Sequence, residues 1–370
     1  MKKNLCLLVA SIALLFVSCG GPIKTGSATD VTHSSAVLHG ELNVAADQPI
    51  EFGIVIAESE EALINSTDTF KFVVTEQKDG LFELSIDNFI PETDYYYYAW
   101  MIKDGEIVVG NTLNFTTPSL PVAIFSVGKA KKVTFSPGNL QYHVESDSWC
   151  FASSQLEFIG RKNANIDYSG SGIIDLFGWG TGSNPTTTRP TKYGDYDEFV
   201  DWGTNKIGDD APNTWRTLEV SEWNYIFNKR ENARSMYGVA AVDGVNGMII
   251  LPDGWNNPLG LSFKSGMHKK EGVKYYANHQ TIEKEQWEKM EKAGAIFLPA
   301  AGHRSPFEGE GYEKGKELGQ YWASTREDFY FFGYEIPGGN AFTFNSSEKD
   351  AKNALAVCQG ISVRLLKDVE

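Results

Sequence analysis

The sequence predicts a multidomain chain: an all-β sandwich over residues 28–118, followed by an α+β domain over 122–370 with two main helices and much loop. Three observations predict it. Residues 28–117 break into short strand-like pieces separated by turns. A connection carrying Pro118 and Pro121 follows, which favours extended backbone with little freedom for a hinge. Beyond it lie eight of the nine tryptophans, with Trp100 alone before it, among abundant glycine and only two helical patterns. A length of 370 residues exceeds the usual single domain, and 42% hydrophobic content with 13% aromatic is ample for packed cores.

The N-terminus is read first. Lys2 and Lys3 precede an apolar run from Leu5 to Val17, too short to anchor in a bilayer, and small residues follow. This is an export signal, placed at 1–18. Its end, Phe16-Val17-Ser18-Cys19, resembles the bacterial lipoprotein box with phenylalanine in place of the usual leucine, and implies lipidation of Cys19. Residues 19–27 are expected to form a lipid-anchored flexible tether. Cys6 leaves with the signal, so Cys150 and Cys358 are the folded cysteines; a disulfide between them and two separate buried thiols are both open. A net charge of −15 without a basic cluster past Lys3 opposes nucleic acid and anionic membrane surfaces, leaving the N-terminal lipid as the expected membrane contact.

In the first domain "SSAVLHGEL" alternates, "EFGIVIA" and "FKFVV" are rich in β-formers, and "LFELSIDNF" alternates again. "YYYYAWMI", "KDGE" and "IVVGNTLNFTT" form a hairpin with Asp104-Gly105 at its tip. "FIPETDYYYYAW" resembles the fibronectin type III signature, with Phe89, Pro91, Thr93, Tyr95, Tyr97 and Ala99 in its places. The resemblance implies a spacer in which Tyr95 fixes the turn between sheets.

In the second domain Ser221 is placed to cap "EWNYIFNKR", with Trp223, Ile226 and Phe227 on one face. Thr281 is placed to cap "IEKEQWEKMEKAG", with Ile282, Trp287 and Met290 buried, pairs Glu285–Lys289 and Glu288–Lys292, and Gly294 as the stop. "AIFLPAAGHR" follows as a strand ending at a proline. In order, "KVTFSPGNLQYH", "WCFASSQLEFIG", "GIIDLFGWGTGSN", "WRTLEVSEWNYIF", "GVNGMIILPDGW", "FLPAAGHR", "GQYWAST" and "GISVRLLKD" resemble Bacteroidales exported proteins related to the Fibrobacter succinogenes major paralogous domain, which look like C-type-lectin-like folds. That fold hosts several functions.

Catalytic patterns are missing from the sequence. The six histidines, at 33, 39, 143, 268, 279 and 303, include no metal-ligand spacing, so no metal and no cofactor are expected. Asp195, Asp197, Glu198 and Asp201 follow no rule that pairs acids across a cleft, and Phe199 breaks a calcium-loop order. There is no Gly-x-Ser-x-Gly elbow or phosphate loop, and neither folded cysteine fits a reactive-thiol pattern, so the chain is read as a non-enzyme. The resemblance implies binding instead. Its exposed segments map here to Arg326–Tyr334 and Asn345–Asn353, a composition that suits recognition.

The candidate contacts are Arg326, Asp328, Tyr330, Phe332, Tyr334, Asn345 and Asn353, with His303 as a neighbour; Trp322, Phe342 and Phe344 are expected in the core, with the boundary near Thr325. These features predict an envelope-anchored adhesin, or glycan- or protein-binding lipoprotein, of the outer membrane, expected at the cell surface rather than the periplasm. The residues after Cys19 lack the acidic cluster that accompanies surface export in the resembling lipoproteins. The alternatives are a structural or fimbrial tip subunit, a glycan-active enzyme and a receptor diversified by a retroelement.

Overall fold

Alternating apolar residues over 23–116 build two facing sheets. The computed structural model describes residues 21–43, 51–166, 172–187, 196, 198–269, 276–305 and 312–369. The chain divides into two compact units between Leu120 and Pro121. The proposed signal, Cys19, Asp195 and Asp197 lie outside the described residues.

The first unit contains β1 (Ile23–Thr29), β2 (Ala36–Leu42), β3 (Phe52–Ala57), α1 (Glu60–Asn65), β4 (Phe70–Val74), β5 (Leu81–Ile86), β6 (Asp94–Lys103), β7 (Glu106–Val109) and β8 (Leu113–Thr116). One sheet runs β1-β2-β5; the other runs β4-β3-β6-β7, with β8 also on β6. Alternation along β6 buries Tyr95, Tyr97 and Ala99, with the Tyr95 ring 4.5 Å from Phe89 and 5.6 Å from Phe115. The Ile90 N–H donates to the Tyr95 hydroxyl at 2.9 Å, which ties the incoming loop to this strand. The β6–β7 turn places Asp104 and Gly105 at φ 53° and 84°, the paired left-handed conformation that aspartate and glycine adopt most readily.

Two expectations are corrected in this unit. Residues 23–27 are no tether: Ile23 and Thr25 are buried in β1, and Ile23 pairs with Leu42. The sandwich therefore begins before residue 28. The short α1 goes unforeseen because six residues carry too little periodicity to read; Ser59 caps it by accepting the Ala62 N–H at 3.1 Å.

The second unit opens with β9 (Phe125–Ser126), β10 (Lys132–Phe135), β11 (Leu140–His143), β12 (Ser148–Phe151) and β13 (Ile173–Ile174). Its middle holds α2 (Val220–Asn228), β14 (Tyr237–Val242), β15 (Val245–Ile250), β16 (Thr281–Ile282), α3 (Lys284–Lys292) and β17 (Ile296–Pro299). It ends with β18 (His303–Arg304), β19 (Tyr312–Glu313), β20 (Gly319–Arg326), β21 (Phe329–Phe331), β22 (Tyr334–Ile336), β23 (Gly338–Phe344), β24 (Lys349–Ala356) and β25 (Leu366–Val369). β10 pairs with β25, so the start and end of the unit share one sheet. The largest sheet runs β16-β14-β15-β17, and a three-stranded sheet runs β20-β23-β24. The helix α2 packs on the latter, with the Phe227 and Phe342 rings stacked at 4.3 Å and Trp223 and Phe342 at 5.0 Å.

Both main helices start differently from the expectation. Glu219, not Ser221, is the N-cap of α2, in a capping box with Glu222. Thr281 and Ile282 form β16 beside Ala241 and Val242, and Glu283 caps α3 with Gln286. In each case a glutamate two residues from the expected cap reaches the open backbone N–H groups. Ile282, Trp287 and Met290 are buried, the first from the strand. "ISVRLL" is buried but makes only isolated bridges, such as Phe177 with Ile361, before β25. Cys150 and Cys358 are free thiols, not a disulfide: Cys150 lies on β12 with its Sγ 3.9 Å from Gln141 Oε1, while Cys358 is packed into the core around Trp322 and Val357.

Candidate functional site

The sheet β20-β23-β24 is apolar where it meets α2 and gives way to an exposed arm at one end. Along β20 burial holds from Gly319 to Ala323, weakens at Ser324 and Thr325, and ends at exposed Arg326. Trp322 is fully buried, donating its indole N–H to the Phe177 carbonyl at 2.7 Å; Phe342 and Phe344 are buried on β23. Thr325 accepts the Val220 N–H at 3.1 Å, so this residue still belongs to the framework.

Past Arg326 the chain leaves the sheet as the hairpin β21–β22, with Phe329 opposite Ile336, Tyr330 opposite Glu335 and Phe331 opposite Tyr334. Asp328 sets its base. Its carboxylate accepts the Gly338 N–H at 2.9 Å and pairs with the Arg326 guanidinium at 3.1 Å. The Gly338 N–H and then Arg326 hold its pKa below the usual carboxylate value. Two glycines let the returning strand approach: a Cβ on Gly338 would stand 2.2 Å from the Glu327 carbonyl, and one on Gly339 2.3 Å from the Trp179 ring.

The arm is aromatic and open. Phe332 is 87% exposed, Tyr334 75%, Tyr330 74% and Phe331 52%. The strand period puts Phe331 and Tyr334 on one face, Tyr330 and Glu335 on the other, and Phe332 at the turn. The turn residues Phe332 and Gly333 have φ 49° and 83°, the geometry of a type I′ turn. Its first position normally holds asparagine, aspartate or glycine; a bulky phenylalanine there is a strained exception.

The structure divides the predicted contacts. Tyr330, Phe332 and Tyr334 share the hairpin, and Arg326 and Asp328 brace its base, engaged with each other. Asn345 is spent on structure, because its Oδ1 accepts the Ser347 and Glu348 N–H groups at 2.7 and 2.9 Å to shape the β23–β24 turn. Asn353 lies half-buried on β24, its amide 3.4 Å from Thr343 Oγ1. His303 belongs to the separate β18–β19 pair; its imidazole is largely enclosed, 3.6 Å from Glu313, and burial lowers its pKa. These three do not join the aromatic arm in one surface. Phe331, inside the expected segment Arg326–Tyr334 but not singled out there, is also exposed on the hairpin, within a Phe-Phe-Gly that carries the turn signal.

Several other titratable groups serve the interior. Buried Asp175 accepts the Ile159 N–H at 2.7 Å, and burial pushes its carboxyl up to about 6. Asp201 caps a short turn through the Gly203 N–H at 2.9 Å and also accepts from Thr217, so it supports a loop. Burial raises both Cys150 and Cys358 thiols, the opposite of what a nucleophile needs.

No family model and no curated protein matches the chain. Among solved structures, the sensor domain of the anti-sigma factor RsgI4 of Pseudobacteroides cellulosolvens is similar at 14% identity, covering 27% of this chain and 99% of that one, with a TM-score of 0.21. A fibronectin type III domain of the human KIAA0970 protein is similar at 14% identity, covering 27% of this chain and 78% of that one, with a TM-score of 0.22.

Proposed function

We propose that this chain is a binding protein of the cell envelope. In this reading Cys19 carries the lipid anchor, the N-terminal sandwich is a fibronectin type III-like spacer, and the C-terminal unit is a C-type-lectin-like module of the Bacteroidales kind. The location is the outer membrane, at the cell surface. The observation that carries the binding role is the hairpin β21–β22, which leaves four aromatic side chains 52–87% exposed on an arm that contributes little to the cores. Exposed aromatic clusters of this density mark contact surfaces. Glycans and proteins of the envelope are the ligand classes that the resemblance implies.

The test uses the chain lacking residues 1–19 on glycan and protein arrays, beside a triple variant Tyr330→Ser, Phe332→Asn, Tyr334→Ser. Binding by the parent and its loss in the triple variant, with no fall in melting temperature, is the expected result. Equal binding by both proteins would move the contact surface elsewhere.

A further inference from the structure

The chemistry of the arm changes with distance from its tip. From Phe329 to Tyr334 there is no charged residue, while Arg326, Glu327 and Asp328 stand before this stretch and Glu335 after it. Phe331 and Phe332 occupy the end, their rings edge to face at 4.5 Å. Tyr330 and Glu335 form the next rung, about 7 Å behind the turn at the usual strand rise. Aromatic surface is present on both faces and at the turn.

A sugar ring stacks on one face of such an arm, whereas a fluid apolar layer meets all of its sides. From the tip, phenylalanine at the turn, the Phe331–Tyr334 pair and then the Tyr330–Glu335 pair with the first carboxylate run from apolar toward charged, as a bilayer does from acyl chains through interface to water. Phe332 adds an independent point. The turn would form more readily with asparagine, and Phe332 packs only on Phe331 among the ring contacts, so its ring serves something outside the fold.

We propose that the tip of this hairpin inserts shallowly into a lipid bilayer, with Phe332 and the facing pair Phe331 and Tyr334 at the acyl boundary and Tyr330 at headgroup level. This rests on the reading of the hairpin as the contact element. The outer backbone edges of β21 and β22 have no further strand in their two-stranded sheet, so deep entry would leave peptide groups unsatisfied. The acids at the base favour a zwitterionic surface over an anionic one.

The test is flotation with phosphatidylcholine vesicles, and with vesicles of phosphatidylcholine mixed with phosphatidylglycerol. The protein is the chain from Gly20 onward, which removes the predicted lipid and signal; the first strand begins at Ile23. Phe332→Asn suits the left-handed turn and keeps the hairpin folded, and Phe331→Ser/Phe332→Asn removes both rings. We expect flotation of the parent on phosphatidylcholine, weaker flotation on the anionic mixture, and about a tenfold or greater loss for the double variant. No flotation of the parent, equal flotation of the variants, or binding to anionic vesicles alone would overturn the proposal. Array binding lost in the variants without any flotation would overturn the lipid and keep the hairpin as the contact element. Variants that change neither assay would remove both. Self-association of the parent that the variants abolish, without flotation, would assign the tip to a second copy of the chain.

Discussion

Arg216 is the point where the end of the second unit is locked to its first helix, and its removal can be worked through. The guanidinium donates to Glu222 through Nη1 and Nη2, both at 2.8 Å, and to Asp368 through Nε and Nη2 at 2.9 and 2.7 Å. Lys131 adds a contact to Glu222 at 2.8 Å. Glu222 is buried and closes the α2 capping box through the Glu219 N–H, while Asp368 lies on β25. Arg216→Ala therefore leaves a buried carboxylate with one lysine partner and removes the side-chain tie to the final strand, which stays paired with β10.

Removing one partner of a buried pair costs about 3–5 kcal/mol, and the surviving lysine places this case near 3 kcal/mol. The exposed Asp368 half contributes at most about 1 kcal/mol. Urea unfolding followed by near-ultraviolet circular dichroism gives the loss, and a cycle with Glu222→Gln gives the coupling, expected at about 2–3 kcal/mol. The pH dependence has a definite sign. Burial pushes the Glu222 carboxyl up, but Arg216, Lys131 and the Glu219 N–H together hold it below the ordinary glutamate value of 4.5. Its stabilisation is present above the unfolded value and lost as pH falls through the folded one, so the acid limb below pH 4.5 flattens in Glu222→Gln. A loss under about 1 kcal/mol for Arg216→Ala would refute the reasoning and show the network to be solvent-screened.

Asp175 has the opposite sign: its carboxyl rises from 3.8 to about 6, so it destabilises the fold increasingly across that window. Asp175→Asn should remove a pH slope of about 3 kcal/mol between pH 3.5 and 7, read from urea midpoints at a series of pH values. Phe342→Ala empties the space between Trp223 and Phe227 and should cost about 3–5 kcal/mol by the same melts. Tyr95→Phe leaves the buried Ile90 N–H without its acceptor and should cost about 1–3 kcal/mol in the first unit, followed by hydrogen exchange at Ile90.

Legibility followed the range of the interactions. The strands from Ala36 to Thr116 were readable because alternation and β-branched or aromatic residues are local signals. β1 was not, since "IKTGSATD" is polar and Thr25 is buried with its hydroxyl accepting the Ala99 N–H at 3.0 Å, a partner far along the chain. The helix starts failed for a related reason. Serine and threonine are the usual caps, but glutamates two residues away had a second carboxylate or amide to close the box with. At the candidate site, Trp322 and Phe342 as core and Tyr330 and Tyr334 as exposed groups were legible from periodicity and composition. Asn345 was not, because an asparagine that shapes a turn and one that meets a ligand look alike until its backbone partners are known.

Phe332 and Phe342 sit on the same stretch and show how core packing and exposure separate along it. Phe342 stacks on Phe227 at 4.3 Å inside the core, so its ring stabilises the native state directly. Phe332 sits at φ 49°, a conformation that costs an L-residue about 1–2 kcal/mol, and its ring is spread to solvent. Replacing it with asparagine should raise the melting midpoint slightly, by about 0.5–1 kcal/mol of relieved strain. The two sites share no ring contact, so Phe332→Asn and Phe342→Ala should add to within about 0.5 kcal/mol. A larger coupling would mean that the arm is packed into the core's cooperative unit, and the separation of exposed arm from framework at Thr325 would fail with it.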